Sequence, residues 1–271
     1  MTKTLLIDVM NLAYRALHTT GPMRYEDRPT GTLYGIWKTC RKLAHQFRTT
    51  DLAFCFDSKT MKRRDIYPQY KGKRAESRKA EDEDKRSARQ EMHDQVAALP
   101  QLLRDSGFVN LFRISGYEAD DVIASAVRNN TDREFVIVSS DQDCYQLLED
   151  GRVTQYSLST DMELRESDFV ATYGISPIQW AGVKAWAGCT SDSIEGLKLI
   201  GEKKAIQFLL GKYSNPKRFT DELEIYNRNI QLTKLPFPGC PVIRIAEQPS
   251  QIDWNVIGSF IGSTESIVTG V

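Results

Sequence analysis

Four short apolar runs alternate with longer stretches of helical period along the first half of the chain. Residues 4–9 (TLLIDV), 52–57 (LAFCFD), 109–114 (VNLFRI) and 134–139 (EFVIVS) are rich in β-branched and aromatic residues and predict strands. Helical patterns fall at about 31–48, 88–106 and 118–128. The strand runs are nearly continuous in apolar residues, as strands covered on both faces must be. The alternation predicts an α/β fold: a mainly parallel central sheet flanked by helices. From about 176 the pattern is helical almost to the end, with helix-like spacing around 216–234. A Pro-rich loop at 235–241 and a candidate short strand at 242–245 interrupt it. There is no internal repeat.

Composition adds bounds. The 271 residues suffice for one large or two modest domains. The change of pattern places the expected boundary near 185, giving an α/β core (1–185) and a helical region (186–271). Hydrophobic residues make up 41% and charged residues 27%, the profile of an ordinary globular protein. No apolar run approaches the roughly 18 residues of a membrane span, so no membrane partner is expected. The opening MTKTLLIDVMN has an Asp inside its apolar stretch, unlike a secretory signal. The five cysteines, at 40, 55, 144, 189 and 240, form no CxxC pair. A reducing, cytoplasmic compartment is the expectation.

Charge changes the picture more. Lys+Arg and Asp+Glu both number 36, a net of zero, which at face value speaks against a polyanionic partner. The charges are segregated, however. Residues 59–74 hold seven basic side chains (Lys59, Lys62, Arg63, Arg64, Lys71, Lys73, Arg74) against one acid, Asp65. Residues 76–94 mix both signs and hold almost no large apolar residue before Met92, so they predict a solvated helix or a mobile element.

The acids fall at strand ends. Asp8 and Asp57 close the first two strands, Asp141 and Asp143 follow the fourth, and Glu118, Asp120 and Asp121 open a helix after the third. Open parallel sheets bind ligands beyond the carboxyl ends of their strands. Each acid also has a local reading, as a helix cap or a turn residue. Together, seven like charges need cations, and hard divalent ions such as Mg²⁺ or Mn²⁺ suit oxygen ligands. The three histidines lie elsewhere, and no His/Cys cluster suggests zinc. Paired ions held by carboxylates serve in-line displacement at phosphorus. The basic segment follows Asp57 directly, and a helix over 71–78 would put Lys71, Arg74 and Arg78 on one face. Tyr67 and Tyr70 among these cations either stack on bases or are buried.

The segments LLIDVMNLAYRA, FCFDSKTMKRRDIYPQYKGKR, GYEADD, VIVSSDQDCYQLL and WAGCTSDSIEGLKLIGEKKA, in this order, resemble the structure-specific 5′ nucleases: phage-type flap endonucleases and 5′→3′ exonucleases, and the 5′ nuclease domain of bacterial DNA polymerases. The resemblance covers roughly residues 4–210. It implies a divalent-metal-dependent phosphodiester hydrolase of DNA replication or repair, with two Mg²⁺ or Mn²⁺ ions. Its substrate would be DNA with a 5′ single-stranded end or flap and a duplex arm, bound by a monomer. By resemblance, Asp8, Asp57, Glu118, Asp120 and Asp121 surround the first ion, and Asp141, Asp143 and Asp192 the second. Lys71 and Arg74 contact the scissile phosphate from the base of a helical arch at about 59–95, beside Tyr70, with Arg15 nearby. Residues 190–210 resemble a helix–three-turn–helix that grips duplex DNA, often with a monovalent cation such as K⁺. There Gly196 and Gly201 would admit a phosphate, and Lys203 and Lys204 would add positive charge.

The chain departs from the family at several positions. Gly188-Cys189 stands where Gly-Asp is usual, which removes one acid from the second-ion set, and a thiol is a poor Mg²⁺ ligand. The turn reads Gly196-Leu197-Lys198-Leu199-Ile200-Gly201, with Leu199 where Gly is usual, and a leucine does not take positive φ cheaply. Ser193 replaces a usual Asn, and Glu195 a common Pro. A DNA-binding protein with weakened catalysis and a ribonuclease on the same scaffold are the alternatives. A simple phosphatase would need neither a basic arch nor a duplex-binding hairpin.

Overall fold

The computed structural model describes residues 2–212, 219–248 and 251–262. The chain opens with β1 (Thr2–Asp8), α1 (Val9–Thr19), a small hairpin of β2 (Arg24–Tyr25) and β3 (Arg28–Pro29), and α2 (Gly31–Phe47). Next come β4 (Leu52–Phe56), the short α3 (Arg63–Ile66), α4 (Gly72–Lys79), α5 (Glu83–Asp105) and β5 (Leu111–Arg113). Then follow α6 (Ala119–Asn129), β6 (Arg133–Val138), a 3₁₀ helix (Gln142–Leu147), β7 (Val153–Ser157), β8 (Met162–Leu164) and α7 (Glu166–Tyr173). The last elements are α8 (Trp180–Ala187), the two-residue strands β9 (Gly188–Cys189) and β10 (Ile194–Glu195), α9 (Glu202–Leu209), α10 (Phe219–Thr233) and α11 (Trp254–Phe260).

The central sheet has the order β5-β4-β1-β6-β7-β8. All its pairings are parallel except β7 with β8. The mainly parallel α/β sheet is therefore the one the apolar runs predict, with β7 and β8 as additions that carry too few apolar residues to stand out. Strand β1 alternates Leu5 and Ile7 toward one face and Leu6 toward the other. Leu5 and Ile7 pack with Leu12, Leu33, Trp37, Leu43 and Leu99. On the opposite face Leu6 meets Cys55, Val122, Ile123 and Ile137. A third cluster, centred on Phe169, Trp180, Val183 and Trp186, ties α7, α8 and α9 together. From β1 the chain adds β4 and β5 on one side and then returns to add β6 and β7 on the other, so the order reverses around β1. Such a switch point leaves a crevice beyond the strand ends.

Several details differ from the sequence pattern. Helix α5 begins at Glu83, five residues before the predicted start, because Asp82 caps it by accepting from the Lys85 amide. Its early turns are mostly exposed, the solvated helix expected of a stretch without apolar residues. No strand forms at 242–245. The amides of Ile243 and Ile245 donate to the side chains of Ser125 on α6 and Asn130 just after it, so the segment is pinned by side chains rather than by a partner strand. The helix expected at 216–234 is seen from Phe219 to Thr233, and 216–218 lie outside the described residues. No helix among the described residues is long and apolar enough to cross a membrane.

Candidate metal and phosphate site

At the carboxyl end of β1, Asp8 accepts from the Asn11 amide (3.0 Å), capping α1, and from Ser139 Oγ (3.0 Å). Ser139 in turn accepts from the Asp141 amide (3.1 Å), which couples the ends of β1 and β6. Asp141 caps the 3₁₀ helix through the Asp143 amide (2.9 Å). Asp57 follows β4 and accepts from the Ala119 amide (2.9 Å), tying it to the start of α6. The cap reading and the ligand reading therefore coexist: each of these acids commits one oxygen to a backbone amide and leaves the other uncommitted to the backbone.

Their titration carries the mark of this crowding. Burial, then Asp57, pushes Asp8 up to about 7. Burial, then Asp141 and Asp192, does the same to Asp143, also to about 7. Burial raises Asp57 and Asp192, and raises Asp120 well above the usual carboxylate range. Glu118 runs the other way. Burial alone would lift it, but Lys71 and Arg63 outweigh burial and hold it below its ordinary value. Carboxylates held this close resist ionisation until a cation joins them, so they fit divalent metal ions.

Asp121 stands apart from the other acids. It is fully buried and its oxygens accept four hydrogen bonds: two from Arg63 (2.6 and 2.8 Å), one from the Glu118 amide (3.1 Å) and one from the Phe237 amide (2.7 Å). Protein donors thus take all the acceptor positions of its carboxylate, the environment of a positioning residue. Arg63 also donates to Glu118 (3.1 Å) and to the Leu232 carbonyl (2.9 Å). It locks the start of α6, the basic segment and α10 to one another.

Lys71 is not the first residue of a helix. It sits at the N-cap of α4 in the left-handed region, φ +56°. Its amide donates to the Asp192 carbonyl (2.7 Å) and its ammonium bonds Glu118. Such a conformation costs a non-glycine residue of order 1 kcal/mol or more and persists only where the surroundings impose it. Arg74 bonds Asp192 (2.8 Å) and the Ser191 carbonyl (3.0 Å). Arg78 is turned elsewhere, to Tyr14 Oη (3.0 Å), so the three cations do not present a common face to the acids. Tyr70 is 2% exposed and donates to Glu118 (2.7 Å), so its ring is not open to a base. Tyr67 is half-buried beneath the Arg228 guanidinium, 4.6 Å from the ring centroid. Arg15 is exposed on α1, where its side chain donates no hydrogen bond to the described residues.

The acids of the second-ion set gather more tightly than those of the first. One group of three ligand atoms lies within 4.8 Å among the described residues: Asp143, Cys189 and Asp192. Asp141 is outside it, and no three of Asp8, Asp57, Glu118 and Asp120 meet that closely.

In the turn that follows, close packing alone requires glycine at Gly196. A Cβ there would lie 2.1 Å from the Ala187 backbone, which β9 and β10 hold against it. Gly201 is open, with nothing within 4 Å of a Cβ, and it precedes α9 with no side-chain cap. Leu199 does take positive φ (+69°), with its side chain 70% exposed. Lys204 donates to the Leu199 carbonyl (3.0 Å), and Lys203 is exposed. Ser193 also adopts the left-handed conformation, and its Oγ accepts from the Lys73 amide (3.0 Å).

Sequence reasoning missed Arg63, Ser139 and Lys184 as site residues. Lys184 is buried beneath the second group, bonded to Glu202 (2.8 Å) and Gln142 (3.3 Å). Their partners are far away in sequence, 58 residues for Arg63 and 131 for Ser139, so no local spacing marks them. Arg63 stood out only as one more charge in a basic run.

Comparison with known proteins agrees with this architecture. Residues 3–174 match the family model of the 5′–3′ exonuclease N-terminal resolvase-like domain. A 5′–3′ exonuclease of Buchnera aphidicola is 31% identical over 216 residues, covering 78% of this chain and 68% of the relative. The thermostable DNA polymerase I of Thermus aquaticus is 32% identical over 214 residues, but there the chain spans only 24% of the relative's length. In structure, the bacteriophage T5 flap endonuclease, solved as a pseudo-enzyme–product complex with DNA and metal ions, superposes with a TM-score of 0.74. It is 21% identical, over 86% of this chain and 89% of that one.

Proposed function

Because the chain belongs to the 5′–3′ exonuclease family, with its N-terminal resolvase-like domain over residues 3–174, we propose that it hydrolyses DNA phosphodiesters at or near 5′ ends. It does so as an exonuclease, a flap endonuclease or both, and it uses divalent ions, Mg²⁺ or Mn²⁺. The observation that carries this reading is the meeting of Lys71 and Arg74 with Glu118 and Asp192 at the rim of the carboxylate crevice. Phosphate-binding cations and ion-binding acids share one site and neutralise each other.

In this reading Asp8, Asp57, Glu118 and Asp120 hold one ion, and Asp141, Asp143, Asp192 and Cys189 hold or border a second. Bound there, divalent ions would activate the attacking water and stabilise the leaving oxygen. Lys71 and Arg74, at the rim of the same crevice, would meet the scissile phosphate and stabilise the charge that develops on it. Arg63 and Asp121 fix Glu118, and Tyr70 orients it by hydrogen bond. The exposed turns of α4 and α5 guide a single-stranded 5′ end.

Residues 186–271 support the duplex arm. Gly201 and the free amides at the start of α9, with Lys203, approach a phosphate of the duplex. A groove of about 360 Å³ between α4 and this turn, lined by Lys73, Thr190, Ser193 and Lys198, lies beside the path. At this turn, where a monovalent ion such as K⁺ would sit, the Leu199 carbonyl accepts from the Lys204 ammonium (3.0 Å). The protein acts as a monomer on flapped DNA.

Product mapping tests this. A 5′-end-labelled flap duplex should yield short labelled products with Mg²⁺ and none with EDTA. Cleavage that is unaffected by EDTA, or no cleavage with either Mg²⁺ or Mn²⁺, would overturn it.

A further inference from the structure

We propose that Asp143, Cys189 and Asp192 form a mixed carboxylate–thiolate site that selects a thiophilic divalent ion of the Zn²⁺ and Cd²⁺ class over Mg²⁺. The inference rests on the nuclease reading only for the expectation that divalent ions visit this crevice.

The three ligand atoms lie within 4.8 Å of one another. Around a tetrahedral zinc with bonds of about 2.3 Å to sulfur and 2.1 Å to oxygen, such atoms are about 3.6 Å apart. Small side-chain rotations close that gap. Cys189 is well placed to take part, because its backbone is fixed. It pairs with Ile194 across the short β9–β10 ladder, and Gly188 and Gly196 are pressed together just beside it. Its Sγ lies 3.0 Å from Ser191 Oγ. Asp143 accepts no hydrogen bond at its carboxylate among the described residues, so its oxygens are available. Asp192 is anchored at one oxygen by Arg74 (2.8 Å), its other oxygen lies 3.5 Å from Tyr70 Oη, and one of the two belongs to the group.

The donor set then decides the ion. Mg²⁺ demands near-octahedral oxygen coordination and gains little from sulfur, whereas thiolate favours softer ions. Coordination takes the thiol as thiolate, and its proton passes to solvent. Two carboxylates and one thiolate are three protein ligands, which leaves a fourth position open to water or phosphate, the pattern of a reactive zinc site.

Cd²⁺ titration of the metal-stripped full-length protein, followed by sulfur-to-cadmium charge-transfer absorption, tests the proposal without reference to cleavage. The expected result is one equivalent of saturable absorption that survives about a hundredfold excess of Mg²⁺. Cys189→Ser should abolish the band and weaken Cd²⁺ binding by about tenfold or more. Cys240→Ser, which removes the other partly exposed thiol, should keep both. Absence of the band in the wild type, its persistence in Cys189→Ser, its loss in Cys240→Ser, or displacement of Cd²⁺ by equimolar Mg²⁺ would each overturn the assignment. The two readings fail separately. Mg²⁺-supported flap cleavage with no band sinks this site alone. A Cys189-dependent band in a protein that cleaves no flap with any divalent ion supports the site and sinks the nuclease.

Discussion

Arg63 and Asp121 form a buried two-pronged ion pair, with Nη1 2.6 Å and Nη2 2.8 Å from the two carboxylate oxygens, in the wall of the acidic crevice. Arg63 is 3% exposed and Asp121 fully buried. Lys71, and after it Arg63, holds Glu118 below its ordinary value in a crevice where burial pushes Asp8, Asp57, Asp120, Asp143 and Asp192 up. The neighbouring Asp120 of GYEADD lacks this pair: it is half-buried, and its carboxylate accepts from the Asp121 amide (2.7 Å).

Asp121→Asn should therefore behave as a structural mutation. Removing one partner of a buried pair costs about 3–5 kcal/mol, so the melting temperature should fall by several degrees or more. Asp120→Asn should leave stability unchanged or slightly improved without metal, and should raise the Mg²⁺ concentration needed for half-maximal cleavage. Thermal melts and Mg²⁺ titrations of both variants check this. Identical behaviour of the two would mean that Asp121 is an ion ligand after all.

Stability should depend on pH in a direction set by Asp8 and Asp143. In the unfolded chain these acids lose their protons near 3.8, whereas in the fold they keep them to about 7. Between those values the unfolded state binds fewer protons, so the metal-free protein loses stability as pH rises through the window. Glu118 shifts downward and works the other way, with its stabilisation lost only in acid. Melting in EDTA should fall between pH about 4 and 7, and divalent ions should restore more stability at the upper end than at the lower. A melting temperature that rises with pH in EDTA contradicts this electrostatic picture.

Tyr70→Phe distinguishes a buried hydroxyl from a base-stacking ring. Loss of the bond to Glu118 should cost about 1–3 kcal/mol and lower the rate, while affinity for a single-stranded 5′ tail stays unchanged. A stacking role predicts the opposite pattern, with Phe as good as Tyr and only the loss of the ring harmful. Melting, tail binding and single-turnover rates of the variant decide between them.

Lys71→Ala and Arg74→Ala should each slow single-turnover cleavage by about 10²–10³-fold at saturating metal, with DNA affinity changed little. Arg78→Ala, whose partner is Tyr14 and not an acid of the crevice, should have a much smaller effect on the rate. A large rate loss in Arg78→Ala together with a small one in Arg74→Ala would reverse the assignment of the two arginines.

Much of this molecule was legible in its sequence, and the limits follow from the same physics. Strands covered on both faces leave continuous apolar runs, so β1, β4 and β6 were visible, while β7 and β8, with Thr154, Gln155 and Glu163 among their residues, were not. The acids were visible because strand ends in a parallel sheet converge by topology. The environment of each acid was not visible, because Arg63 and Phe237, which bond Asp121, lie 58 and 116 residues away in the chain. Gly196 shows the same limit. Its spacing suggested a phosphate contact, and only the fold reveals the Ala187 backbone that a side chain there would strike. The segment at 242–245 has strand-like residues, yet Ser125 and Asn130 satisfy its amides before any strand can.

The central claim is that the carboxylates at the end of β1 hold the metal ion on which cleavage depends. The most direct test compares wild type and Asp8→Asn on one 5′-end-labelled flap duplex, measuring binding in Ca²⁺ and single-turnover cleavage in Mg²⁺. The account predicts binding within about threefold and cleavage slower by about 10³-fold or more, with excess Mg²⁺ failing to restore the full rate. Cleavage by Asp8→Asn at the wild-type rate would contradict it.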